Sequence, residues 1–309
     1  MLPPVPQPAR FIDPLSDFGF KRLFGSEPNK EILIDFLNQL FKDQAVPKVI
    51  RDLTYHSTEK YGEDEQSKKV VFDLLCTCDN GEQILVEMQR AEQPYIKERA
   101  VFYTSRLISE QLPKGKKSWN YALKEVYLIA LLEFEMDNSG LGYLHDYCLI
   151  DKQTGQIFYE KLGYKFIELP KFTKAEHQLE TDLDRWLFLL KNLSRMDKIP
   201  VFLRKKVFQK VFRIAEISGL TKEERMLYQT KEQIEFDYQS SIEFAAKKAA
   251  DKARKEGLEE GVVAKTERAI RNMILSDYSD KEICKILEVT PDYVARLRQA
   301  IKDEASLNE

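Results

Sequence analysis

The stretch Phe72 to Gln89, FDLLCTCDNGEQILVEMQ, constrains this chain more than any other. Two apolar runs of strand length flank Asp79-Asn80-Gly81, which is a hairpin signal. A two-residue Asn-Gly loop pairs Asp79 with Glu82, places Asp73 across from Met88 and sends Asp73 and Glu87 to opposite faces. A three-residue loop with Gly81 in the left-handed position pairs Cys78 with Glu82 instead and sets Asp73 directly opposite Glu87. Register therefore decides the chemistry. In the second register Gln89 shares the face, two residues past Glu87, and cross-strand neighbours sit about 5 Å apart.

Two carboxylates held that close between apolar neighbours repel each other and lose hydration unless a cation, a proton or a hydrogen-bond network compensates. A hard divalent metal is the economical answer. Mg²⁺ prefers oxygen ligands and keeps several waters, so Asp73, Glu87 and a backbone carbonyl, that of Met88, leave positions for a phosphate oxygen and an attacking water. The alternative is an edge hairpin whose two acids face solvent. Phe72, Leu74 and Leu75 on one run and Ile84, Leu85, Val86 and Met88 on the other make both faces apolar, which favours burial.

The hairpin sits inside a larger β-rich pattern. A helix from Asn29 to Lys42 precedes runs at Val46 to Tyr61, Lys68 to Asp79 and Gln83 to Arg90, then a helix from Pro94 to Leu112 and a run from Glu125 to Phe134, an αβββαβ order. Shorter runs follow at Tyr143 to Asp151 and Ile157 to Leu169, divided by Thr154-Gly155. After Pro170 the pattern turns helical: Ala175 to Leu193, Val201 to Ser218, Glu223 to Met273, Ser279 to Glu288 and Thr290 to Lys302. The expected divisions are an extended proline-rich arm at 1–10, an α/β domain at 11–170, a helical region with a long helix at 171–271 and a helical hairpin or helix-turn-helix-like tail at 272–309.

Composition narrows the class of function. With 309 residues, 43% hydrophobic and 32% charged, the chain fits a globular protein, and no apolar run reaches the roughly 18 residues of a membrane span. A cytoplasmic location is expected, because Met1 to Pro14 lacks the apolar core of a secretory signal. Cys76 and Cys78 share a strand face, but two thiols alone make no zinc site, so buried reduced thiols are expected. His56, His145 and His177 are scattered and have no nucleophile motif around them.

Asp73 followed by Glu87-x-Gln89 on consecutive strands of an αβββαβ core resembles the PD-(D/E)XK nuclease superfamily. The opening Asp13-Pro14-Leu15-Ser16-Asp17-Phe18-Gly19-Phe20-Lys21-Arg22-Leu23-Phe24-Gly25 is similar to the start of its recombination-promoting nuclease and transposase branch, through Asp17, Phe20, Lys21 and Phe24. The resemblance covers residues 11–170, and the helical Arg254 to Gly261 segment is also typical of that branch. It implies a restriction-endonuclease-like α/β fold with a mixed sheet, followed by a mostly helical C-terminal region. It also implies a Mg²⁺-dependent DNA endonuclease with Asp73 and Glu87 as metal ligands. Gln89 stands where the name-giving lysine lies in the superfamily, and the branch resembles this chain in using glutamine there. A glutamine can orient water but cannot neutralise charge. Lys21 would supply that charge if its segment packs over the hairpin, with Asp17 orienting it or joining the metal shell. The alternative is that the phenylalanines anchor the segment, Asp17 caps a helix and Lys21 is solvated. Glu31 is a weaker candidate ligand.

The net charge is −3, so DNA affinity requires a local basic surface. Residues 90–124 carry Arg90, Lys97, Arg99, Arg106, Lys114, Lys116, Lys117 and Lys124 against three glutamates. Arg99 and Tyr103, four apart, present a cation and a ring on one helix face toward phosphate, and Arg90 and Lys97 add charge beside them. The C-terminal helices are expected to support self-association into a homo-oligomer. In the tail, Ile283, Ile286, Leu287, Val289, Val294, Leu297 and Ile301 suit a small core that leaves Arg296, Arg298 and Lys302 exposed. A DNA-reading helix-turn-helix and a plain helical hairpin both fit, and Asp292, Asp303 and Glu304 favour the hairpin. Two functions stand side by side: a metal-dependent DNA endonuclease, and a nuclease-fold protein that binds DNA or other subunits without cutting.

Overall fold

The computed structural model describes residues 9–42, 48–57, 59–60, 70–111, 122–137 and 139–306. Ser16 opens helix α1 (Asp17–Phe24) by accepting the Gly19 N–H at 3.0 Å, and α2 (Lys30–Phe41) follows. In α2, Ile32, Leu33, Phe36, Leu37, Leu40 and Phe41 are all buried, the stripe that their spacing predicts. Strand β1 (Leu53–Tyr55) comes next, and β2 (Glu59–Lys60) and β3 (Val70–Val71) form a separate two-stranded ribbon. Then come β4 (Leu74–Cys78), β5 (Gln83–Gln89), α3 (Ile96–Glu110), β6 (Val126–Leu132), β7 (Leu144–Ile150) and β8 (Ile157–Glu168).

The main sheet has six strands in the order β1-β4-β5-β6-β8-β7. Its β5-β6 and β6-β8 pairs are parallel and the others antiparallel, so the sheet is mixed. In chain order α2, β1, β4, β5, α3 and β6 reproduce the expected αβββαβ core, and α3 is the crossover that parallel β5 and β6 require.

The hairpin adopts the three-residue loop. Cys78 N–H donates to the Glu82 carbonyl at 2.8 Å, Gly81 N–H donates back to the Cys78 carbonyl at 2.9 Å, and Gly81 has φ +90°. The ladder runs from Leu74 opposite Val86 to Thr77 opposite Gln83, so its continuation sets Asp73 opposite Glu87.

Alternation along the strands divides two cores. Leu74, Cys76, Ile84, Val86, Met88, Ile129 and Leu131 face α1, α2 and the helices α4 (Asp182–Asn192) and α5 (Lys206–Ala215). Leu75, Leu85, Leu128 and Ala130 face α3 through Ala100 and Leu107. Cys76 and Cys78 are buried free thiols.

The expected division at 170/171 cuts through one core. Trp186 of α4 lies 6.0 Å from Phe24, 5.7 Å from Phe36 and 5.0 Å from Phe208, ring centre to ring centre, so α4 and α5 complete the packing of α1 and α2. The expected helix from Ala175 instead starts at Asp182, where Thr181 and Asp184 form a capping box, and the one expected from Val201 starts at Lys206. The chain divides into two units at 232/233, within the long helix α6 (Lys222–Leu275).

In the second unit, α7 (Asp280–Leu287) and α8 (Pro291–Ser306) pack with the end of α6 through Ile270, Ile274, Ile283, Val294 and Leu297. Ile286, expected in that core, is exposed, and Arg298, expected to be exposed, is half-buried and donates to Asp280 and to the Tyr278 carbonyl. The side chain of Lys302, residues 1–8 of the arm, and Lys114, Lys116 and Lys117 lie outside the described residues. Among the described residues, no helix is long and apolar enough to cross a membrane.

Candidate active site

Asp73 lies one residue before β4, where the ladder to β5 ends. Its Oδ2 accepts the Met88 N–H at 2.8 Å, a bond that a continued ladder would have given to backbone. A strand residue directs its N–H and carbonyl to the same side, so the Met88 carbonyl also faces the β4 side, past the last paired residue. In return Asp73 N–H donates to Glu87 Oε1 at 3.3 Å, and Gln89 Nε2 donates to Glu87 Oε2 at 3.2 Å. The structure thus brings Asp73, Glu87, Met88 and Gln89 together at one strand end.

Glu87 is 5% exposed. Burial, reinforced by the neighbouring Asp73 charge, pushes its carboxyl up to about 8, against the opposing Asp73 N–H, Arg99 and the Gln89 amide. Burial also raises Asp73, against the Met88 N–H and the charge of Lys21. Among the described residues neither carboxylate forms an ion pair. Two acids are therefore held in contact in a site that disfavours their charged forms.

Glu87 and Gln89 open into a small cleft under α3, lined also by Ile96, Arg99, Tyr103, Ala130 and Phe166. Arg99 Nη2 donates to the Tyr103 hydroxyl at 3.3 Å, its guanidinium carbon lies 5.6 Å from the Tyr103 ring centre, and Nη1 donates to Gln93. The Tyr103 ring is held in turn by an edge contact to Phe72 at 5.1 Å. Lys97 is exposed on the same first turn. Arg90 is committed to the scaffold, with Nε 2.8 Å from Glu133 Oε2 and Nη1 3.2 Å from Asp13 Oδ2.

Ser16, not Asp17, caps α1. Asp17 bridges Lys21, at 2.5 Å, and Lys231; its partial burial raises its carboxyl, but the two ammonium groups prevail and hold it below the usual range. Asp17 therefore orients Lys21, whose charge reaches Asp73. Gly19 lets the first turn of α1 pack against the preceding segment, because a Cβ there would lie 1.9 Å from the Asp13 carbonyl oxygen. Glu31 is paired with Lys210.

A second buried acid escaped the sequence reading. Glu168 ends β8 on the α3 face, in the row that continues through Leu132 from Gln89. It is 0% exposed and meets Lys171 Nζ at 2.7 Å and His145 Nε2 at 3.1 Å. Burial raises this carboxyl, but Lys171 and the Ser139 hydroxyl outweigh it and hold Glu168 below the usual carboxylate range. Lys171 follows Glu168 by three residues, but His145 reaches Glu168 only through the β7-β8 pairing.

Among the described residues, no group of three or more His, Cys, Asp or Glu side chains is arranged to hold a metal. The Asp73–Glu87 site offers only oxygen donors, two carboxylates, the Gln89 amide and the Met88 carbonyl. That set fits a hard cation that keeps part of its water shell and suits a thiolate- or imidazole-seeking metal poorly. A family model described as PD-(D/E)XK nuclease family transposase matches residues 14–245. The search of curated proteins and the search of solved structures returned no match.

Proposed function

The chain belongs to the PD-(D/E)XK nuclease transposase family, and from that premise we propose that it is a Mg²⁺-dependent DNA endonuclease. The observation that carries this reading is a hydrogen-bonded pair of acids, Glu87 buried and Asp73 half-buried, with no ion-pair partner among the described residues, placed at a strand end that opens into a cleft. Asp73, Glu87 and the Met88 carbonyl are the ligands for the cation. When bound, that cation polarises a phosphate oxygen and lowers the pKa of a water.

The chain's own groups do the rest. Gln89, turned to Glu87 by its amide, accepts or donates a hydrogen bond to orient the attacking water. Asp17 holds Lys21 where its charge reaches Asp73. Lys97, Arg99 and Tyr103 on α3 grip the DNA backbone, and Tyr103 fixes the plane of the guanidinium. Hydrolysis adds water across a P–O bond and leaves one phosphate monoester and one hydroxyl. In this reading the protein works in the cytosol, where its DNA substrate lies.

Relaxation of supercoiled plasmid in Mg²⁺ and in EDTA tests the reading, with Asp73→Ala and Glu87→Ala proteins checked for folding. Mg²⁺-dependent nicking that both variants lose supports it. Cleavage that survives in both folded variants contradicts the site, and DNA binding without cleavage by the unaltered protein favours a non-cutting DNA-binding module.

A further inference from the structure

A phosphodiester gains negative charge as water attacks it, and a nuclease site needs a cation placed for that charge. Gln89 cannot serve, because its amide is neutral and directed to Glu87. Lys21 is fixed 2.5 Å from Asp17, a carboxylate that also holds Lys231. Arg90 is engaged by Asp13 and Glu133.

Arg99 differs from all three. It lines the cleft with Glu87 and Gln89, and its nitrogens bond only neutral partners among the described residues, the Gln93 amide oxygen and the Tyr103 hydroxyl. A guanidinium has five N–H donors, so these two bonds orient the fork and leave donors for the two oxygens of a phosphate. Its charge also favours the ionised forms of both Asp73 and Glu87, although neither touches it as an ion pair.

We infer that Arg99, reaching into the cleft from the first turn of α3, is the cation that binds the scissile phosphodiester and stabilises its added charge, the task for which Gln89 has no charge to offer. The assignment rests on the nuclease reading and adds to it. The functional charge has moved from the strand to the facing helix, and Tyr103 acts as its positioning residue, with its own ring braced by Phe72.

Single-turnover cleavage of supercoiled plasmid in Mg²⁺, and binding of a duplex oligonucleotide in Ca²⁺ followed by fluorescence anisotropy, test this with Arg99→Ala, Arg99→Lys, Lys21→Ala and the double variant Arg99→Ala/Gln89→Lys. Arg99→Ala is expected to slow cleavage about 100-fold and weaken duplex binding about tenfold, with an unchanged melting temperature. Lys21→Ala is expected to slow it less, and Arg99→Lys to fall between Arg99→Ala and the unaltered protein. Placing lysine at 89 in the Arg99→Ala background is expected to recover at least about tenfold in rate, which a merely structural role for Arg99 does not predict.

Arg99→Ala that binds duplex as tightly as the unaltered protein overturns the assignment whether or not the protein cuts. An Arg99→Ala cleavage rate within threefold of normal, or no recovery in the double variant, also overturns it. An unaltered protein that binds duplex through Arg99 without cutting retains the phosphate contact and overturns the nuclease reading instead.

Discussion

Glu87 and Glu168 lie on the same face of one sheet, about 12 Å apart by strand spacing and rise, and the chain handles their charges in opposite ways. Glu168 is met by the chain's own Lys171 ammonium at 2.7 Å, and the His145 ring lies 3.1 Å away. Glu87 has a second acid for a neighbour, and its polar contacts are an amide and a backbone N–H. Both are almost fully buried, so depth alone does not distinguish a structural acid from one available to a ligand. What distinguishes them is whether the chain itself supplies the compensating charge. A compensated acid stabilises the fold, and under the proposed function the uncompensated pair is the site for an external cation.

Substitution at the two sites should break that symmetry most visibly in activity. Asp73→Ala and Glu87→Ala are each expected to lower plasmid cleavage by roughly 10³-fold or more, because under the proposed function each removes a cation ligand. Glu168→Gln should leave cleavage within about tenfold after correction for the folded fraction, measured in the same assay.

Stability should respond in the reverse order. Glu168→Gln leaves Lys171 and His145 facing a neutral group in a buried site and is expected to cost about 3 kcal/mol in urea unfolding. Glu87→Gln in EDTA removes a repulsion and is expected to be neutral or to stabilise by about 1 kcal/mol. A large loss at Glu87 together with none at Glu168 would invert the comparison.

The pH dependence sharpens it further. The Glu87 carboxyl titrates near 8 in the folded chain against an ordinary 4.5, so between those values the folded state holds a proton that the unfolded state has released. Metal-free stability should therefore fall as pH rises from about 5 to about 8, by at most about 1.4 kcal/mol per pH unit, and Glu87→Gln should flatten that slope. Glu168, held below the ordinary range, works in the other direction: its contribution is present above about 4.5 and is lost as pH falls below that.

The smallest effect concerns Arg90. Its pairs with Asp13 and Glu133 make it part of the scaffold, so Arg90→Ala should cost about 1 kcal/mol of stability and change duplex affinity less than twofold. A loss of affinity matching that of Arg99→Ala would return Arg90 to the DNA surface.

Local signals carried much of this architecture. Alternation and the Asp-Asn-Gly turn marked the β4-β5 hairpin, and the continuous apolar run at Val126–Leu132 marked a strand buried on both faces. The loop length was open, since Asn-Gly suits a two-residue turn equally well. The choice follows from which residues each register buries: the observed one places Leu75 and Leu85 under α3 and Cys76, Ile84 and Val86 on the opposite core.

Long-range packing was not legible. Trp186 and Phe208 join Phe24 and Phe36 across some 150 residues, so nothing near Pro170 reveals that the same core continues. The Glu168–His145 contact was hidden for the same reason, since its histidine arrives from a neighbouring strand. Within the candidate site, the acids and Gln89 were readable because one hairpin holds them. The commitment of Arg90 to Asp13 and Glu133 was not, because those partners lie far away in the chain.

The most direct measurement is a calorimetric titration of Mg²⁺ into the protein at pH 7 in two buffers of different ionisation enthalpy, with Glu87→Gln and Glu168→Gln in parallel. The account predicts saturable binding that releases up to about one proton, since Glu87 must ionise to ligate, with both signals lost in Glu87→Gln and kept in Glu168→Gln. Binding of equal affinity in Glu87→Gln, or no saturable binding by the unaltered protein, would contradict it.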